Sequence, residues 1–343
     1  MNFEDIINRY LESDFANHDF FTIVANKKRG QSDTFSVIDS SGCSIIMIKF
    51  FDYFKGMEKI VKENDIYMYN SLNDFLEDIE NIDNVDYNIE EIIDNVELQR
   101  RCFNRYIKVG EIESLDCFPR LLHHEDEIKI NGSFYGFLVE EYVRGATLEN
   151  KLKIGTIEDR AIFAFDFLLQ FGDILNKLND NKIVHRDISP DNIIIKDDKY
   201  ILIDPGVIKI DDGFLTQSRM MLGKKIYVSP EQYFGNARLA TFRSDLYAVG
   251  IIALEIILGY NPLNEIIRKE NVIHAPHREL LARYSRDLED KIFMKITENE
   301  FSSKLLIIIK KLIQIEERNR FDSIDSFIAT LNIMKRGGKM NNE

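Results

Sequence analysis

The clearest signal in this chain of 343 residues is the stretch IVHRDISPDNIII, residues 183–195. Two apolar runs enclose a short polar loop that carries Asp187 and Asn192. Phosphoryl transfer needs a carboxylate beside the attacking hydroxyl and an oxygen ligand for Mg²⁺, both held rigidly by a scaffold. The loop therefore indicates a phosphoryl-transfer site in which Asp187 and Asn192 supply the chemical groups.

This loop resembles the catalytic loop of the protein kinase family, in which His-Arg-Asp is followed by Asn five residues after the Asp. The matching residues are His185, Arg186, Asp187 and Asn192. The resemblance implies that Asp187 orients or deprotonates the acceptor hydroxyl, that Asn192 binds a metal and that Arg186 contacts an activation segment. A His-Arg-Asp tripeptide alone would fit a surface loop equally well, but the full pattern between two apolar runs is specific.

A second element is ILIDPG at residues 201–206, in which Asp204 lies 17 positions after Asp187. It resembles the Asp-Phe-Gly turn of the same family, with Pro205 in place of Phe. The resemblance implies that Asp204 is the main Mg²⁺ ligand, in keeping with the preference of hard cations for carboxylate oxygen. Asp-Pro-Gly is by itself a common turn sequence, and the spacing from the catalytic loop favours the functional interpretation.

A third element, GKKIYVSPEQ at residues 223–232, resembles the end of a kinase activation segment. The resemblance implies a buried ion pair between Glu231 and Arg320, although Arg320 could instead be a surface residue. It also implies that Asp245, at the start of an apolar helix, holds the backbone of the catalytic loop.

The markers of substrate class in this family are absent from the sequence. Ser189 stands where serine/threonine kinases carry Lys, and Lys224 stands where they carry Thr. We expect Lys224 to supply the cation for the γ-phosphate that Ser189 cannot supply. Thr216 and Ser218 are predicted activating phosphorylation sites, because Arg186 could pair with a phosphate there.

In the N-terminal half, the run IIMIK ends at Lys49 and resembles the family strand whose Lys binds the α- and β-phosphates. A Lys at the end of an apolar strand is often only an edge residue. The resemblance also requires a helix Glu that pairs with this Lys. Glu97 and Glu111 are the two candidates, and the helical spacing of residues 88–109 favours Glu97.

The glycine-rich loop of the family is weakly matched, since Gly30 is the only glycine between the first two strand-like runs. The basic residues 27–29 could replace backbone amides as phosphate ligands or could simply face solvent. The resemblance places the adenine of ATP against the backbone of Glu141 and Val143, with Glu140 gating the deeper pocket.

The order of the patterns, β-rich and then α-rich, predicts an α+β fold of the bilobal protein kinase type with ATP in the cleft between its lobes. The stretch from Glu63 to Glu97 holds twelve Asp or Glu and no Lys or Arg, which marks an acidic insertion or a solvated helical face. The expected organisation is an N-terminal extension (1–19), a kinase domain (20–335) and a flexible tail (336–343). Within the kinase domain we expect a small lobe (20–139), a hinge (140–145) and a large lobe (146–335). The acidic insertion lies in the small lobe, at about 52–96.

Composition narrows the function classes. Hydrophobic residues make up 45% of the chain, which is enough apolar surface for a large core. A net charge of −14 argues against a nucleic-acid partner, because the phosphates would be repelled. The three cysteines have no metal-ligand spacing, and the sequence shows neither a secretory signal nor an apolar run long enough to span a bilayer. We therefore expect a cytoplasmic enzyme with a protein substrate, whose oligomeric state is left open.

Three functions remain in competition: an ATP- and Mg²⁺-dependent protein kinase, which the motifs favour, an ATP-binding scaffold without catalysis, and a small-molecule phosphotransferase of kinase-like fold. The sparse glycine loop and the acidic insertion motivate the scaffold. The combination of Lys49, Asp187, Asn192 and Asp204 argues against it, because binding alone has no need for all four. The Ser-Pro-Glu segment and the helix that begins near Asp245 argue against the small-molecule enzymes.

Overall fold

The computed structural model of the chain divides it into two compact units, Met1–Arg144 and Gly145–Glu343. The division falls within the predicted hinge. The residues that the structure describes are 2–15, 21–26, 32–57, 68–79, 89–152, 155–210, 226–233, 240–264 and 300–339. The predictions for residues 27–29, Gly30, Thr216, Ser218, Lys224 and the last four residues of the tail lie outside this part of the chain. Within it, no helix is long and apolar enough to cross a membrane.

The first unit is built on one antiparallel sheet of five strands in the order β1-β2-β3-β5-β4. Alternate side chains of β3 lie on opposite faces of the sheet, so Ile48 and Phe50 face one core while Lys49 and Phe51 face the other side. Both faces of the sheet are therefore available for helices. The strands are β1 (Thr22–Ala25), β2 (Asp33–Ile38), β3 (Ser44–Asp52), β4 (Leu121–Ile130) and β5 (Ser133–Glu141).

Helix α1 (Phe3–Asp14) covers one face of the sheet. A capping box between Asn2 and Asp5 starts the helix by satisfying its first backbone N–H groups. The predicted N-terminal extension thus contains a helix, one side of which is apolar and belongs to the core of the first unit. Its buried side chains are Ile6, Ile7, Tyr10 and Leu11.

Helices α2 (Leu72–Ile79) and α3 (Ile89–Gly110) contribute to the core that contains Phe51, on the opposite face of the sheet. They include most of the described part of the acidic stretch. The acidic residues Glu77, Asp78 and Glu91 are exposed, as expected for a solvated face. The same helices bury a set of apolar side chains, namely Leu72, Phe75, Ile79, Ile92 and Val96. The acidic stretch is therefore amphipathic and forms part of the folded unit.

The second unit is mainly helical. Helix α6 is buried on every side from Ser244 to Ile257, which is expected for a helix that is apolar around its whole circumference. The helices in the described part of this unit are α4 (Ile157–Asp180), α5 (Pro230–Tyr233), α6 (Phe242–Leu258), α7 (Glu300–Leu312) and α8 (Ile324–Lys339). The short strands are β6 (Ala146–Thr147), β7 (Ile183–Val184), β8 (Ile193–Lys196), β9 (Lys199–Leu202) and β10 (Lys209–Ile210).

Two small sheets hold the ends of the predicted catalytic loop. Strand β7 ends at Val184 and pairs with β10, whereas β8 begins at Ile193 and forms a hairpin with β9. The loop from His185 to Asn192 is therefore anchored at both ends by strand pairing. A 3₁₀ turn, Pro190–Asn192, fixes its last part.

Candidate active site

The catalytic loop brings Asp187 and Asn192 into direct contact. The side-chain amide nitrogen of Asn192 donates hydrogen bonds to the Asp187 carboxylate at 2.9 Å and to the Asp187 carbonyl at 3.1 Å. These bonds fix the orientation of the carboxylate relative to the loop. The amide nitrogen is used in both contacts, so the amide oxygen is the atom of Asn192 that a cation would take.

Asp245 supports the loop from below. Its two carboxylate oxygens accept hydrogen bonds from the backbone N–H groups of His185 at 2.7 Å and Arg186 at 2.9 Å. Arg186 has a left-handed backbone with φ of 69°, which is uncommon for a residue other than glycine. The predicted supporting contact between Asp245 and the loop is present, and it holds a strained backbone in place.

Asp204 lies next to this loop through the β8–β9 hairpin. The hairpin pairs Ile193 with Leu202, and the backbone N–H of Ile203 donates to the carbonyl of Asn192 at 2.9 Å. Asp204 follows directly and also has a left-handed backbone, with φ of 64°. Asn192 and Asp204, the two predicted metal ligands, thus extend from the same end of the hairpin.

His185 lies fully buried beneath these groups. Burial lowers its pKa to about 4, although the negative charge of Asp204 acts in the opposite direction. The imidazole is therefore neutral at pH 7. It contributes packing and hydrogen bonding to the loop rather than a positive charge.

The donor set of this region fits Mg²⁺. The carboxylate oxygens of Asp204 and the amide oxygen of Asn192 are the hard ligands that this ion prefers. Among the described residues, no group of three or more His, Cys, Asp or Glu is placed to hold a metal ion.

Ser189 occupies the position where the resemblance would place a Lys. It is completely buried, and its hydroxyl donates to the Asp191 carboxylate at 2.9 Å. The serine therefore stabilises the loop internally. Lys224, its predicted substitute, lies outside the described residues.

The predicted ion pair between Glu231 and Arg320 is present. Arg320 Nη1 and Nη2 lie 2.8 and 2.9 Å from the two carboxylate oxygens of Glu231. Ser244 donates to the same carboxylate at 2.7 Å. Arg320 is only 1% exposed, so the alternative of a surface Arg is wrong.

Gln232 adds a link that the motif comparison did not predict. Its side-chain nitrogen donates to the carbonyl of Arg186 at 3.2 Å, and its side-chain oxygen accepts from Ser229 at 3.0 Å. This buried amide connects the end of the activation segment to the catalytic loop. The sequence gives only a weak signal for it, because a Gln that follows a Pro-Glu pair is equally compatible with the surface.

In the first unit, Lys49 is paired with a different residue from the one predicted. Lys49 Nζ lies 2.6 Å from the carboxylate of Glu140 and 4.6 Å from the ring centroid of Tyr106. The Glu97 carboxylate lies instead 3.9 Å from Arg100 and 3.7 Å from Arg101, and Glu111 is exposed. The expected pairing of Glu97 with Lys49 is thus wrong in this structure, because the helix turns Glu97 toward basic residues of its own surface.

Of the predicted adenine-binding residues, Glu141 is the last residue of β5 and Val143 follows two residues later. The backbone N–H of Glu141 donates to the carbonyl of Arg120 at 2.9 Å, so a ligand there would depend on the carbonyl of Glu141 instead. The Val143 side chain is buried. Contact of either residue with adenine stays a prediction.

Comparison with known proteins agrees with these motifs. Residues 111–330 match the family model of the protein kinase domain. Kinase B of Synechocystis sp. is 28% identical over 235 residues, covering 65% of this chain and 36% of the relative. Kinase PknA of Nostoc sp. is 34% identical over 141 residues, covering 38% of this chain and 24% of the relative. PknA of Mycobacterium tuberculosis is 34% identical over 145 residues, covering 41% of this chain and 33% of the relative. All three are named as serine/threonine-protein kinases.

The chain belongs to the protein kinase family, and the two described units have the expected composition, one built on an antiparallel sheet and one mainly helical. It spans about a quarter to about a third of the length of these relatives. The matched residues include β4, β5, the catalytic loop and Arg320. Lys49 precedes them, so its assignment depends on the motif and on its contacts in the first unit.

Proposed function

We propose that the chain is an ATP- and Mg²⁺-dependent protein kinase that transfers the γ-phosphoryl group to Ser or Thr hydroxyls of a protein. The observation that carries this proposal is the direct hydrogen bond between Asn192 and the Asp187 carboxylate in a loop that is anchored by Asp245. A loop with only a structural role would not need both the buried Asp245, which binds its backbone, and the Asp187 carboxylate, which is held in one orientation.

Asp187 would act on the acceptor hydroxyl. Its carboxylate orients the hydroxyl for in-line attack and accepts its proton as the new oxygen–phosphorus bond forms, while the bond from the γ-phosphorus to the β,γ-bridging oxygen breaks and ADP leaves. The hydrogen bond from Asn192 keeps this carboxylate in one orientation. Lys49 would neutralise charge on the non-transferred phosphates.

Asn192 and Asp204 would hold Mg²⁺ through their side-chain oxygens. When bound, the ion would neutralise charge on the phosphate oxygens of the nucleotide. The left-handed backbone at Asp204 aims this carboxylate away from the regular course of the strand.

The names of the relatives support Ser and Thr as acceptors, and autophosphorylation at Thr216 or Ser218 extends the proposal to regulation. Arg186 is the residue that would pair with such a phosphate. Mass spectrometry of active protein tests this part directly. If Thr216 and Ser218 are unmodified in fully active protein, autophosphorylation at these residues is not required for activity and this part of the proposal is wrong.

The central experiment incubates the purified chain with labelled ATP and Mg²⁺, alone and with a generic protein substrate. We expect label on protein and its loss in Asp187→Asn, which keeps the size of the side chain but cannot accept the proton. Asp322→Asn, a change at an exposed carboxylate, serves as the matched control. ATP binding without transfer by the unmodified chain would instead support the scaffold. Transfer to a sugar or an aminoglycoside but not to protein would support the small-molecule enzyme.

A further inference from the structure

Lys49 and Glu140 form a close, buried ion pair inside the first unit. The distance from Nζ to the carboxylate oxygen is 2.6 Å, and each side chain is 10% exposed. A buried pair of this kind is costly to form and costly to break on one side, so its geometry is closely constrained.

The position of the pair follows from strand register. Strands β3 and β5 are antiparallel neighbours in which Met47 pairs with Glu140 and Lys49 pairs with Leu138. Residues two apart on one strand lie on the same face, so Lys49 and Glu140 are diagonal neighbours. The backbone ladder of the sheet therefore places the two residues side by side on one face.

Helix α3 supplies an aromatic ring to Lys49. The Tyr106 ring centroid lies 4.6 Å from Nζ, and the same ring packs on Phe51 with a centroid distance of 5.0 Å. The contact is a cation–π interaction that covers the lysine. Glu97, on the same helix, is turned toward Arg100 and Arg101.

We infer that Glu140 is the positioning residue for Lys49, so that the alignment of this lysine is set within the sheet and does not require a carboxylate from α3. The catalytic consequence of this inference rests on the proposed kinase function. The pairing itself does not, and it can be tested without nucleotide.

The first test is a double-mutant cycle on stability. Lys49→Met and Glu140→Met should each lower the urea midpoint of unfolding, because each leaves the other charge without its ion-pair partner. The double variant should lose less than the sum of the two single variants, since a buried pair replaced by apolar groups is often tolerated. Additive losses would overturn the pairing.

The second test is kinetic. Glu140→Gln keeps the size of the side chain and removes its charge, and we expect the KM for ATP to rise by about tenfold or more. Glu140→Asp should recover part of this loss because it restores the charge. Glu97→Gln tests the rival residue, and Glu91→Gln, at an exposed position of α3, is the matched control. Circular dichroism verifies that each variant is folded.

The outcomes separate the two proposals. An unmodified chain without phosphoryl transfer would refute the kinase function but leave the stability cycle valid. An active chain in which Glu97→Gln raises the KM and Glu140→Gln does not would overturn the role of Glu140 while the kinase function stands.

Discussion

Arg320 and Glu231 form a bidentate ion pair, with two nitrogen-to-oxygen distances of 2.8 and 2.9 Å. Arg320 also donates to the carbonyls of Gln314 and Arg243, each at 2.8 Å, and stacks on the Tyr247 ring. Burial alone would raise the pKa of Glu231, but the hydrogen bond and charge of Arg320 outweigh it and hold this pKa below its usual value. The pair thus joins the end of the activation segment to α6 and to the segment before α8.

Replacing Arg320 should destabilise the second unit strongly. Arg320→Met removes the partner of a buried carboxylate and several carbonyl contacts, and we expect a loss of roughly 3–5 kcal/mol in the free energy of unfolding. Urea denaturation measures this loss. Arg318→Met, at an exposed position two residues away, should change stability by less than about 0.5 kcal/mol. Similar small effects for both variants would show that the pair is not important for stability.

Asp245 should make stability depend on pH. Burial raises its pKa from 3.8 to about 7, although the backbone N–H groups of Arg186 and His185 act in the opposite direction. The pKa of Asp245 is thus higher in the folded than in the unfolded state. Its contribution to the free energy of unfolding is therefore fully present below about pH 4 and is lost as pH rises toward 7. The expected loss over this range is roughly 4 kcal/mol.

The measurement for Asp245 compares unfolding free energies of the unmodified chain and Asp245→Asn between pH 4 and 7. The unfolding free energy of the unmodified chain minus that of Asp245→Asn should fall as pH rises, because only the unmodified chain carries the titrating carboxyl group. Asp322→Asn, which changes an exposed carboxylate, should show no such trend. A difference that is constant with pH would contradict the raised pKa.

The parts of the site that lie in motifs of the resembled family could be predicted, and those that depend on strand register could not. The loop with Asp187 and Asn192 follows from a motif that is continuous in the sequence. The pair of Glu231 with Arg320, which are 89 residues apart, was implied by the resemblance to the family. Glu140 was predicted only to gate a pocket, because its proximity to Lys49 depends on how β3 and β5 align. A charged residue at the end of the apolar strand FYGFLVEE was the available signal.

The burial of helix α1 against the sheet could not be predicted from the sequence either. Its contribution to the core could not be predicted, since the sequence does not indicate which face of the sheet would otherwise be uncovered. Residues 1–19 were interpreted as an extension, whereas the helix supplies four buried side chains to the core of the first unit.

Truncating a buried residue of α1 should therefore destabilise the first unit. Ile7 is completely buried against the sheet, and we expect Ile7→Ala to cost about 2–5 kcal/mol through lost burial and an unfilled cavity. Thermal and urea unfolding measure the loss. Asn8→Ala, on the exposed side of the same helix, is the matched control. Equal stability of both variants would show that α1 is dispensable.

The hydrogen bond from Asn192 to Asp187 should affect both the rate of transfer and the Mg²⁺ requirement. Asn192→Ala removes the donor that orients the Asp187 carboxylate and also removes one oxygen ligand for Mg²⁺. We expect kcat to fall by roughly 10- to 100-fold and the Mg²⁺ concentration required for half-maximal rate to rise. Asn319→Ala, at an exposed position of the second unit, should leave both values unchanged. A fall in kcat without any change in Mg²⁺ dependence would assign Asn192 to orienting Asp187 alone, and unchanged kinetics would exclude it from the active site.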